Sequence, residues 1–117
     1  MAFRYRSVPA AQALVLAVIG DVDLATEDRF RQLLQDALIH DPDRVVLDLG
    51  SAFLDVRGVS VLLDSVQHGR RRQDWLVVAA PPPLLRRVLT LVDPEVDLPW
   101  YETVADTLAA PLRDEPR

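Results

Sequence analysis

A chain of 117 residues, half of them apolar and 26% charged, is long enough to bury one core without a disulfide or a metal. Its formal charge of −5 leaves no cationic surplus for nucleic acid, and the lack of cysteine excludes disulfides, thiol catalysis and thiolate metal sites. The amino terminus has no apolar stretch like that of a signal peptide, and the longest apolar run, Ala13–Ile19, is far shorter than a membrane span, which predicts a cytoplasmic protein without direct membrane insertion.

In chain order, Phe3–Ser7 alternates apolar and polar residues and predicts a strand with one wet face, at a sheet edge. A turn at Pro9–Gln12 leads to a buried strand, Leu14–Ile19, closed by Gly20. Thr26 is expected to cap the next helix, with Glu27 and Asp28 in its first turn and Phe30, Leu33, Leu34, Ala37 and Leu38 as its apolar stripe; Asp41-Pro42 ends it. Val45–Leu49 is a second buried strand. It empties into Asp55-Val56-Arg57-Gly58, where Asp55 offers an acceptor to the free amides of the next helix and Gly58 removes a Cβ at a close approach. Val59, Leu62, Leu63 and Val66 then repeat at helical spacing until Gly69. Trp75–Ala79 is a third buried strand. Pro81, Pro82 and Pro83 stop it and open a helix with the stripe Leu85, Val88, Leu89 and Val92. A strand near Val96–Tyr101 and a helix opened by Thr103 and Asp106, with Leu108 and Leu112 inward, complete the pattern. The order β-β-α-β-α-β-α-β-α predicts an α/β fold, a single domain over residues 1–112 with a tail at 113–117.

Few residues suggest chemistry. Asp21 and Asp23, just after a strand, could hold a magnesium ion or accept a phosphoryl group, but Ala25 stands where a haloacid-dehalogenase-type signature needs Thr or Val; turn and helix-cap roles suit them better. A receiver-domain reading, with Asp48 as acceptor, lacks the lysine such domains use, since every basic residue except the two histidines is arginine. His40 and His68 fall at helix ends without ligand spacing. Arg70-Arg71-Arg72 suits a helix carboxyl end, and Ser51, Ser60 and Ser65 have no base near them in sequence. The aromatic residues Tyr5, Trp75, Trp100 and Tyr101 are too scattered for a stacking platform. These residues predict no catalytic activity, no metal and no cofactor.

Val45 to Leu63 resembles the central segment of STAS domains, the family of anti-sigma factor antagonists, in which a strand precedes a turn of the form Asp-Ser-Ser-Gly and an amphipathic helix. Gly20-Asp21-Val22-Asp23 is similar to the family's first loop, Pro82–Leu91 to its proline-led segment, and Leu98–Ala110 to its closing strand and helix. The resemblance implies a mostly parallel sheet of four to five strands with helices mainly on one face, in a bacterial protein that binds proteins and turns over nothing. In the family, the serine just before the turn glycine is phosphorylated by a partner that is both anti-sigma factor and kinase, which gives partner switching in transcription regulation. Here that position is Arg57 and the preceding serine is Val56, so the acceptor site is degenerate and phosphorylation there is not expected.

An arginine at a helix start opposes the helix dipole unless a carboxylate compensates, and Asp55 or Asp21 is expected to do so. The partner-binding face is expected to comprise Asp21 and Asp23 of the first loop, the stretch from Ser51 through Asp55 to Arg57 with Gly58, and Ser60, Asp64 and Gln67 on the exposed side of the helix. The expected partner is an anti-sigma factor or kinase-like protein. An adaptor role in a stress-sensing or lipid-transport assembly is the alternative, and a degenerate receiver the distant one.

Overall fold

Runs of β-branched and leucine residues separated by helical stripes fold as their spacing predicts. The computed structural model describes residues 3–10, 13–39, 43–69, 75–91 and 98–110. It shows β1 (Arg4–Ala10), β2 (Ala13–Val22), α1 (Glu27–Ile39), β3 (Arg44–Leu54), α2 (Val56–Gly69), β4 (Leu76–Ala79), α3 (Pro83–Leu91), β5 (Trp100–Tyr101) and α4 (Val104–Ala109). The strands form one sheet in the order β1-β2-β3-β4-β5. β1 runs antiparallel to β2, and every other neighbouring pair is parallel, each reached through one helix.

Alternation along the strands separates two faces. Leu16, Val18, Val45, Leu47, Leu49 and Val78 point into the main core with Phe30, Leu34, Leu62 and Leu85 of α1, α2 and α3. Val15, Val46 and Ala79 point the other way, where Val104 of α4 packs on them. Three helices therefore cover one face and α4 part of the other, in place of the even split of a receiver. Arg44, which the pattern reading passed over, is buried at the start of β3. Its guanidinium donates to the carbonyl oxygens of Thr107 at 3.0 Å and Ala110 at 3.1 Å, a cation holding the carboxyl end of α4 to the sheet.

Several boundaries differ from expectation because strand pairing outlasts the apolar runs. β1 continues through Pro9 to Ala10, which an edge strand permits. β2 continues through Gly20, whose φ of 110° is open to glycine, and on to Val22. β3 extends five residues past Leu49. Its register with β2 passes from Ala17–Asp48 to Ile19–Ser51, so Leu49 and Gly50 together oppose Val18 as a bulge, and the Gly50 N–H donates to Asp48 Oδ1 at 3.0 Å. α2 begins at Val56, three residues earlier than its apolar stripe, because Asp55 caps it. In α4 the inward residue is Thr107, while Leu108 is 42% exposed, contrary to expectation. The expected positions of Leu112, Val92, His40, the residues 70–72 and the strand start near Val96 lie outside the described residues, as does the His68 side chain.

Candidate functional site

Two parallel neighbouring strands deliver their following helices side by side, so α1 and α2 both begin at the carboxyl end of the β2–β3 pair. The pairing runs to its last residues: Asp21 opposes Phe53, Val22 opposes Leu54, and the Asp55 N–H reaches the Val22 carbonyl at 3.3 Å. Asp55 Oδ1 then accepts from the Gly58 N–H at 3.0 Å, and the Asp55 carbonyl takes the first helical bond from Val59. This is an N-cap. Asp55→Ala should lower the unfolding free energy by about 1 kcal/mol in urea titration, with Asp55→Ser retaining most of it. An unchanged midpoint in both variants would refute the capping role.

Gly58 is buried at the same junction. A Cβ there would lie 2.7 Å from the Val22 carbonyl oxygen and 3.1–3.2 Å from Val22 Cγ1 and Leu54 Cγ. The close approach anticipated in the sequence is therefore made by the protein's own backbone, and Gly58 presents no side chain outward.

The loop before α1 is closed by its own polar groups. Asp23 Oδ1 accepts from the Ala25 N–H at 3.0 Å, and the Thr26 hydroxyl accepts from the Asp23 N–H at 3.0 Å while donating to the Asp21 carbonyl at 3.1 Å. Thr26 thus turns its hydroxyl back into the loop and does not cap the first amides of α1 with it. Asp23 has the turn role that sequence spacing favours.

Arg57, in the first turn of α2, bonds Glu27 in the first turn of α1, Nη2 to Oε1 at 2.6 Å. The compensating carboxylate is Glu27, which replaces the expected Asp55 or Asp21 as the direct partner. Bonding to Glu27 and its charge, with a smaller contribution from Asp55, raises the Arg57 pKa above its ordinary value. The arginine side chain is 57% exposed and that of Glu27 only 15%, so the pair is covered from the α1 side and open from above. Arg31, one turn on, lies 3.9 Å from the second Glu27 oxygen and 3.2 Å from Asp28. Glu27 is the residue that sequence reasoning missed. The parallel β-α-β order was the available signal, since it sets adjacent helix starts together across thirty residues of chain.

The remaining candidates divide between two surfaces. Ser60, Asp64 and Gln67 are exposed on α2, with Val56, Ser60 and Asp64 in one i, i+4 row leading from the helix start. Ser51 is a strand residue, exposed on the sheet face opposite α1–α3, two residues from Phe53 and on the same side. Asp21 opposes Phe53 and shares that side. Asp21, Asp23, Asp55, Val56 and Arg57 therefore meet at one end, Ser60, Asp64 and Gln67 extend from it along α2, and Ser51 stands around the sheet edge of the site. Among the described residues no cluster of three or more His, Asp or Glu is placed to hold a metal ion, and no helix is long and apolar enough to cross a membrane.

Comparison with known proteins agrees with this architecture. An anti-sigma factor antagonist from Mycobacterium paratuberculosis superposes with a TM-score of 0.79 at 25% identity, covering 96% of this chain and 95% of that one. An anti-sigma-factor antagonist (STAS) domain protein from Planctomyces limnophilus gives 0.69 at 15% identity, over 89% of this chain and 93% of that one. The phosphorylated form of SpoIIAA, a Bacillus cell fate determinant, gives 0.62 at 12% identity, over 90% and 96%. The last two similarities concern the fold alone. No curated protein matches the chain in sequence. A family model described as "Mlab, STAS domain" matches residues 7–96, which include both helix starts and the capped turn between β3 and α2. With the family model matching residues 7–96 and the fold superposing over 96% of the chain, the chain belongs to the STAS domain family.

Proposed function

We propose that the chain is a non-catalytic protein-binding module of the anti-sigma factor antagonist kind, docking a kinase-like anti-sigma factor through the end where α1 and α2 begin. The observation that carries this reading is the arginine at the position before Gly58. A STAS domain of the switching kind needs a hydroxyl there. This chain has a guanidinium, held by Glu27 beside an intact Asp55 cap. The docking end is thus retained as a folded surface while the acceptor is gone, which suits an antagonist that is constitutively competent to bind.

Incubation with ATP and a candidate kinase-like anti-sigma factor, followed by peptide mapping, should detect a complex and no phosphate between Ser51 and Ser60. Stoichiometric phosphate on Ser51 or Ser60 would show that switching has moved to another hydroxyl. An adaptor role in a larger assembly is the second reading, favoured by the acceptor loss together with the Mlab description of the matching family model. Failure to form any complex with the kinase-like protein, with stable co-purification of transporter or stress-complex subunits, would select it.

A further inference from the structure

Single exposed hydrophobic residues are ordinary, so only a cluster whose surroundings match a definable partner points to a docking surface. Such a cluster lies at the helix starts. Leu24 in the loop before α1, Phe53 at the end of β3 and Val56 at the start of α2 are 65%, 61% and 71% exposed. Their backbones lie at one end of the β2–β3 pair: Val22 opposes Leu54, Leu24 and Val56 each follow by two residues, and Phe53 opposes Asp21 on the sheet face away from α1–α3, at the rim next to the helix starts. None of the three supports the core, and a polar residue would serve each position as well in an isolated domain.

The charge around them is acidic on balance. Residues 21–31 and 53–64, the two segments that meet here, contain Asp21, Asp23, Glu27, Asp28, Asp55 and Asp64 against Arg29, Arg31 and Arg57. Arg31 and Arg57 are both taken up by Glu27 and Asp28, which leaves this end with a net negative charge. Three of the central charges are already engaged: Glu27 bonds Arg57, Asp55 bonds the Gly58 amide and Asp23 bonds the Ala25 amide. Asp21, opposite Phe53, needs a cation from whatever covers it, since burying it without one is costly.

We infer that Leu24, Phe53 and Val56 form the apolar centre of a docking surface for a protein that presents apolar side chains within a rim of arginine or lysine. The inference rests on the proposed binding role and gives that role its partner chemistry. An acidic protein surface or an anionic membrane is repelled by the same rim.

The test uses the full chain, isotopically labelled, with two twelve-residue probe peptides, one alternating leucine with arginine and one leucine with glutamate. The basic peptide should shift the amide signals of Leu24, Phe53 and Val56, and the acidic one should not. Combined Leu24→Ser, Phe53→Ser and Val56→Ser should weaken the basic peptide's binding by at least about tenfold. Ile39→Ser with Leu91→Ser, two similarly exposed positions elsewhere, should leave it unchanged. Shifts centred instead on the groove between β1 and α1 lined by Tyr5, Leu16, Leu33 and Ile39, or equal responses to both peptides, overturn the inference. The kinase-like protein supplies the second arm. If it binds the triple-serine variant as tightly as the parent, the inference fails and the proposed function stands. If it binds neither while the basic peptide behaves as expected, the function fails and the surface stands.

Discussion

Gly58→Ala is expected to cost the fold about 2 kcal/mol and to lower the melting temperature by roughly 10 °C, measured by thermal and urea denaturation. Two effects oppose each other. In an exposed helix position, alanine would gain about 1 kcal/mol over glycine. Here its Cβ would stand 2.7 Å from the Val22 carbonyl oxygen, well inside contact distance, with Val22 Cγ1 and Leu54 Cγ closing the other directions. The carbonyl cannot swing away cheaply, because it sits at the end of the β2–β3 ladder and receives the Asp55 N–H. Overpacking of this kind costs about 1–3 kcal/mol or more, and the backbone nature of the obstacle puts it at the upper end, so the clash outweighs the propensity gain. A variant as stable as the parent would mean that the β2 end can shift by several tenths of an ångström.

The same junction links stability to docking. β2, β3, the loop before α1 and the start of α2 are tied by Val22, Asp55 and the Arg57–Glu27 pair, so displacing α2 also moves Leu24, Phe53 and Val56 relative to one another. Gly58→Ala should therefore weaken the proposed partner binding as well, through this displacement. Arg57→Ser differs. It removes an exposed cation and its ion pair without touching the core, and its effect belongs to binding and salt dependence more than to folding.

Much of the architecture was legible from periodicity. Val45, Leu47 and Leu49 alternate with Val46 and Asp48, and Leu62 and Val66 fall at helical spacing, so strand and helix could be told apart and ordered. Asp55 was legible as a cap because an acceptor three residues before a glycine amide has a local signature. Local signals failed where pairing decides. Gly50 and Ser51 interrupt the apolar run after Leu49, yet Gly50 through Leu54 continue β3 because Ile19 to Val22 offer them a ladder and the Gly50 bulge restores register. Long-range partners were less legible still. Glu27 was read as a helix-dipole residue of α1, and its pairing with Arg57 follows from the placement of two helices, not from either sequence neighbourhood. Arg44 is similar, since its carbonyl partners lie more than sixty residues away. Leu24 carries no local signal that sets it apart from a core residue, and only exposure distinguishes it, Phe53 and Val56 from apolar side chains that enter the core.

Phe30→Ala is expected to be the most damaging of the substitutions considered, lowering the unfolding free energy by about 3–5 kcal/mol in urea titration. Phe30 is fully buried in α1 and meets the ring of Phe3, also fully buried, edge to face at a centroid distance of 5.9 Å and an interplanar angle of 87°. Arg29 covers the other ring, its guanidinium 4.5 Å from the Phe3 centroid, and also bonds the Phe3 carbonyl. Removing Phe30 opens a cavity that Phe3 cannot fill, because its position is fixed by Arg29 and by the start of β1. A loss of this size is a large part of the stability of an ordinary domain, about 5–15 kcal/mol. The double variant Phe3→Ala with Phe30→Ala should be less destabilised than the two single losses predict, by about 1 kcal/mol, because each single variant already forfeits the ring contact. Strict additivity would show that the two rings pack independently. The consequence reaches the proposed docking end, since Glu27 lies three residues before Phe30 on the same helix. With α1 loosened on the core, Glu27 no longer has a fixed position from which to hold Arg57, and partner affinity should fall in step with stability.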